Sequence, residues 1–169
     1  PADRDDPFDA INFAVAARVQ EFYFGLAHEG VLPLLQEHPV PLAAVKQCAG
    51  AGLLGTAFGK HERAMGILRR GVIASKRAGH GVTEEHAVLL ARIAVVVRDR
   101  EDKPEVDEAV RTLEDAVDIF DRESLPKRAA YARVLKEMVA TKLVLAKEPN
   151  VSSRAREDFV ADALAFARQ

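Results

Sequence analysis

The chain has no tryptophan, one cysteine (Cys48) and only 6% aromatic residues. A single thiol excludes an internal disulfide, so the fold has to be held by its core. Sparse aromatics, none interleaved with a basic run, remove the stacking platform that holds single-stranded nucleic acid. Charge of neither sign dominates: 24 Lys and Arg stand against 26 Asp and Glu, for a net charge of -2. No general attraction to nucleic acid or to an anionic membrane surface follows from that balance. No apolar run approaches the ~20 residues that cross a bilayer, and no secretory signal is visible. The expectation is a soluble, intracellular protein, and because the chain opens at Pro1 a removed targeting segment stays open.

What is present suits a helical domain. The 169 residues are 49% hydrophobic and 30% charged, enough for one domain that buries a real core and stays dissolved. After a polar, flexible segment 1–7, Phe8, Ile11, Val15, Val19, Phe22 and Leu26 recur at intervals of three and four, the period of a helix. A short second helix is expected around Val31–Glu37, stopping before Pro39 and Pro41. A third runs from Pro41 to Phe58 and a fourth from Gly59 to Arg77. After the break AGHG, Thr83 caps a fifth helix, Glu84–Arg98, apolar nearly all round except at Arg92. Its IAVVV run is the one place where strand propensity competes. A sixth helix starts at Pro104, with the clean stripe Val106, Ala109, Val110, Leu113, Ala116, Val117, Phe120. A seventh covers Pro126–Ala146, and a last one follows Ser152 or Ser153. The reading is all-α, about eight helices in antiparallel hairpins at 8–38, 41–78, 83–122 and 126–169.

Glycines crowd the third helix at Gly50, Gly52 and Gly55. Each costs roughly 1 kcal/mol against alanine inside a helix, so close approach of a neighbouring helix is expected there. Ala64, Leu68 and Gly71 in the next helix form a small–large–small triplet. The same spacing returns at Ala109, Leu113, Ala116 and, more weakly, at Phe159, Ala163, Phe166. With Gly52 in the first helix and Gly59 at the turn, residues 45–78 resemble a unit of the tetratricopeptide-repeat family. Cys48 and Gly55 stand where that family prefers bulky residues, and the repeat steps are longer than its usual 34 residues. The resemblance implies stacked hairpins in a right-handed superhelix whose first helices line a concave, protein-binding groove. On that geometry Lys46, Thr56, Arg92, Arg133 and Lys136 are the partner-binding candidates. The peptide-carboxylate grip of some family members uses asparagines, and Asn12 and Asn150 are the only two here, neither on those helices.

Other chemistry finds little purchase. His80 and His86 flank Glu84 and Glu85, but without the i,i+4 histidine pair of a zinc-binding helix; no metal or cofactor is expected. Cys48, among small residues, reads as a buried thiol. AGAGLLG sits inside a helix instead of opening one after a strand, so it does not read as a dinucleotide loop. No catalytic constellation emerges, and the chain is not read as an enzyme. Lys60, Arg63, Arg69, Arg70, Lys76 and Arg77 make one helix basic, whereas residues 99–123 are strongly acidic; these are solvated faces or surfaces that steer partners. Phe8, Phe13, Phe22, Tyr23 and Phe24 give the first hairpin more aromatics than one stripe buries, a candidate docking or self-association surface. The functional expectation is an adaptor or assembly subunit that holds a protein or peptide. The alternative is a helical bundle that binds a small hydrophobic ligand or acts on one, which requires an enclosed apolar pocket.

Overall fold

The computed structural model describes residues 7–100, 105–147 and 152–167, with backbone alone for 7–17, 20, 163 and 166–167. Among the described residues there are seven helices and no strand. They are α1 (Pro7–Leu34), α2 (Leu42–Ala57), α3 (His61–Arg77), α4 (Glu84–Arg98), α5 (Val106–Arg122), α6 (Ala129–Leu145) and α7 (Ser153–Ala167). The chain is therefore all-helical, and IAVVV lies inside α4. Each helix packs on the next, and α4 packs in addition on α2 and α6. Four neighbours explain why α4 is apolar on nearly every side; Ala87, Leu89, Ala91, Ala94 and Val96 are all buried.

Three helices end in the same way. Gly59 (φ 67°), Gly79 (φ 77°) and Ser124 (φ 50°) take left-handed backbone just past α2, α3 and α5. The next amide then reaches back: Lys60 N donates to Gly55 O (2.7 Å), His80 N to Ser75 O (2.8 Å) and Leu125 N to Phe120 O (3.0 Å). These bonds satisfy carbonyls that a helix end leaves open, and the chain reverses there. At the third end Phe120 is fully buried and Leu125 packs on the same core, the hydrophobic contact that usually accompanies this turn.

Two expected boundaries are wrong. Residues 7–34 form one helix where a break near Gly30 and a second helix were expected. Phe24 and Val31, seven residues apart and so on one face, are both buried, and their burial offsets the roughly 1 kcal/mol cost of Gly30. The seventh expected helix begins at Ala129, three residues after Pro126, because the turn continues until Arg128 N donates to Pro126 O (2.8 Å). The proposed start at Pro104 and the side chains of Phe8, Phe13, Ala163 and Phe166 lie outside the described residues, as does the segment 1–7 expected to be flexible, except for Pro7, which opens α1.

The glycine seams are where the sequence placed most of them. A Cβ at Gly52 would collide with the Leu68 side chain of α3. One at Gly55 would stand 2.7 Å from the Phe24 ring and 2.9 Å from Ala64 Cβ. One at Gly71 would stand 2.8 Å from Cys48 Cβ. Gly50 and Gly66 have nothing within 4 Å, so neither marks a close approach.

This contrast predicts opposite signs within one helix. Gly66→Ala gains helix propensity at an open site and raises the unfolding free energy by about 0.5–1 kcal/mol. Gly71→Ala presses on Cys48, and overpacking of about 1–3 kcal/mol exceeds the same gain. Urea unfolding of the two variants measures the difference; equal stabilities would mean that the α2–α3 seam is not tight.

Candidate functional site

A cleft of about 440 Å³ opens between α2, α4 and the start of α6. Ala49, Gly50 and Leu53 come from α2, Val88 from α4, and Ala129 and Ala130 from α6, giving an apolar floor. Lys46, Glu84, Glu85, Arg92 and Arg133 supply its charge. The positions on α2 recur at three- and four-residue intervals, so one helical face is presented to the cleft. Lys46, Gly50, Leu53, Ala129 and Arg133 are exposed, which makes this an open groove and not an enclosed pocket.

The charged groups differ in how far they are committed. Lys46 Nζ lies 3.1 Å from Glu85 Oε1 with the lysine largely in solvent, a pair of little energetic weight. Arg92 is only 12% exposed, and its Nη1 lies 3.8 Å from Glu137 Oε1 on α6. Burial pushes the Arg92 pKa below its ordinary value; Glu137 opposes that, and the like charge of Arg133 adds to it. Glu137 also accepts a hydrogen bond of 3.3 Å from Arg98 Nη1, which donates to Thr141 Oγ1 as well (3.1 Å). Burial alone would lower the Arg98 pKa, but the hydrogen bond and charge of Asp99, with Glu137 behind them, raise it. Arg133 is exposed and forms no ion pair with a described residue. The first turn of α6 has neither a capping side chain nor an acidic residue, so no side chain of that turn answers the positive end of its dipole.

Of the five candidates, Lys46, Arg92 and Arg133 line this cleft together. Thr56 and Lys136 each sit about a turn past the last lining residue of their helix. The Thr56 hydroxyl donates back to Gly52 O at 2.9 Å, and Lys136 is exposed. Sequence reasoning missed Glu137, and a signal was available. It is the only acid in α6, and an isolated acid in a largely apolar helix needs a cation close by.

Cys48, His80 and His86 are buried or hydrogen-bonded within the fold. Cys48 is buried, and burial pushes its thiol up to about 12, away from the thiolate a nucleophile needs. His80 Nε2 donates to Val40 O at 3.0 Å, tying the α3–α4 turn to the segment before α2. His86 is buried, and its Nδ1 shares a hydrogen bond of 3.0 Å with the Ser75 hydroxyl. Among the described residues no three His, Cys, Asp or Glu side chains gather to hold a metal ion, and no helix is long and apolar enough to cross a membrane. The basic and acidic stretches meet in part: Lys76 of α3 and Asp115, Asp118 and Arg122 of α5 line one small cleft, and Arg69 acts on Glu108 through its charge.

Two outcomes test these assignments. Glu137→Gln leaves two largely buried guanidiniums short of a charge and costs about 2–4 kcal/mol of unfolding free energy, whereas Arg133→Gln stays within about 0.5 kcal/mol of the parent. Chemical denaturation reads both. Burial, then the charge of Lys76, lower the His86 pKa from 6.5. The unfolded chain therefore binds the proton first, and stability falls as pH drops below 6.5. His86→Gln should flatten the loss that sets in as pH falls through 6.5; an unchanged slope would place the titrating group elsewhere. No protein-family model, curated protein or solved structure matches the chain.

Proposed function

We propose that the chain is a protein-binding adaptor or assembly subunit, built as a tetratricopeptide-like stack of hairpins, that holds a partner segment in the α2–α4–α6 cleft. The observation that carries this reading is the open groove itself. It has an apolar floor of Leu53, Val88 and Ala130, and an uncommitted cation, Arg133, beside the exposed start of α6. That combination suits a segment with an acidic side chain near Arg133 and apolar side chains along the floor. Packing of α4 on both α2 and α6 agrees with the arrangement in which first helices of successive hairpins lie side by side. The exposed lining weighs against the small-ligand alternative, which needs walls that enclose most of the ligand.

The discriminating variant is Lys46→Gln with Arg133→Gln. Both cations are exposed, so the fold is retained, whereas reversal at Arg92 would set a carboxylate against Glu137 and confound loss of binding with loss of structure. Affinity purification from the native source, read by mass spectrometry, is expected to recover a defined partner with the parent chain. The double variant should lose it by roughly tenfold or more, with an unchanged circular dichroism spectrum. Equal recovery by parent and variant would remove the cleft from the interaction.

A further inference from the structure

We infer that the outer face of α1 is a self-association surface, on which a second copy of this chain packs its own α1 in antiparallel orientation. Val19, Phe22, Tyr23 and Leu26 are 47%, 62%, 58% and 53% exposed. Their spacing of three, four and seven residues puts all four on one side of the helix. The opposite side is the one that meets the rest of the chain: Phe24 covers Gly55, Val31 is buried, and Glu21 pairs with Lys60 at 3.9 Å. The helix packs on α2, and among the described residues the four apolar side chains stay about half open to solvent. Large contiguous apolar faces of this kind mark association sites.

The register of this face fits a second copy. A two-fold axis passing between residues 22 and 23 sets Val19 against Leu26 of the other copy and Phe22 against its Tyr23. At 3.6 residues per turn, Arg18 and Glu29 lie on the same flank of that face. With α1 antiparallel to its copy, Arg18 of one comes within about one helical turn of Glu29 of the other, twice over. Both side chains are exposed, and neither forms an ion pair with a described residue. Gly30, one turn beyond Leu26 on the same side, has nothing within 4 Å of where a Cβ would stand, so a partner helix can come close. The contact is thus apolar at its centre and charge-complementary at its edges.

Size sets the strength. With aromatic side chains presenting about 150–250 Å² each, four half-exposed residues provide about 400 Å² per copy and about 800 Å² in the pair. Stable complexes bury about 1,200–2,000 Å². The dimer is therefore reversible and populates over roughly 10 μM to 1 mM.

Sedimentation equilibrium of the whole chain over that range tests the inference. The parent should shift from monomer to dimer, and no further. Phe22→Glu should weaken association by roughly tenfold or more with its helical content unchanged. Arg18→Glu and Glu29→Arg should each weaken it a few-fold, and the double swap should restore the parent constant, because each new pair has opposite signs again. A monomer throughout, or a dimer indifferent to Phe22→Glu, would overturn the surface. Dimerisation sensitive to Phe22 but without recovery in the double swap would overturn the antiparallel register.

Discussion

The absence of a Cβ at Gly52, Gly55 and Gly71 sets how closely α2 and α3 approach, and the other helices take their places from that pair. Leu68 occupies the space at Gly52, Cys48 that at Gly71, and both Phe24 and Ala64 that at Gly55. Widening the pair would unseat α1, whose fully buried Phe24 rests on this seam. It would also shift α4, because Leu89 lies 3.4 Å from where a Cβ of Gly71 would be. Protein interiors tolerate little slack at such contacts. A displacement at one seam therefore reaches the cleft, whose walls are α2, α4 and α6.

The parts of this arrangement visible in the sequence are those governed by local periodicity. The α5 stripe is one: Val106, Ala109, Leu113, Ala116 and Phe120 are buried as their spacing implies, and Val110 and Val117 are half-buried at its edge. Gly59 and the AGHG break are another, since a left-handed residue after a helix has a strong preference for glycine. Periodicity identified α1 as a helix with an apolar face but gave no account of what covers that face. Its most regular stripe points Val19, Phe22 and Leu26 into solvent, while the less regular pair Phe24 and Val31 makes the core contact. Which side of a helix meets the protein depends on the neighbour, and the neighbour of α1 is chosen by Gly55, some 30 residues away.

The cleft was legible to the same depth. Lys46, Arg92 and Arg133 were singled out because they sit on the helices expected to line a groove, and three such helices do meet there. Thr56 and Lys136 satisfied the same rule but lie too far along their helices, because the cleft's length follows from where α4 and α6 begin. Glu137 escaped because its partners are distant in sequence: Arg98 is 39 residues earlier. The uneven charge of α3 and α5 has the same origin. Read along the chain it suggests two surfaces for outside partners, yet Lys76 and Asp115 share a cleft and Arg69 acts on Glu108. Part of that asymmetry is satisfied within the molecule, where opposite charges on neighbouring helices favour one arrangement over its alternatives.

Arg92 and Arg133 differ in how far the fold has already engaged them. A guanidinium taken largely out of water has to be answered by a carboxylate, and Glu137 answers both Arg92 and Arg98. Once so engaged, Arg92 contributes shape and field to the cleft but has little freedom to follow a ligand. Arg133, one turn earlier on the same helix as Glu137, is exposed and keeps its hydration. An incoming carboxylate can replace water there without first breaking an internal pair, and it meets the positive end of α6 together with the side chain. The proposed recognition thus rests on a residue that the core does not require, while the Arg92–Glu137–Arg98 bridge ties α4 to α6 beside the cleft.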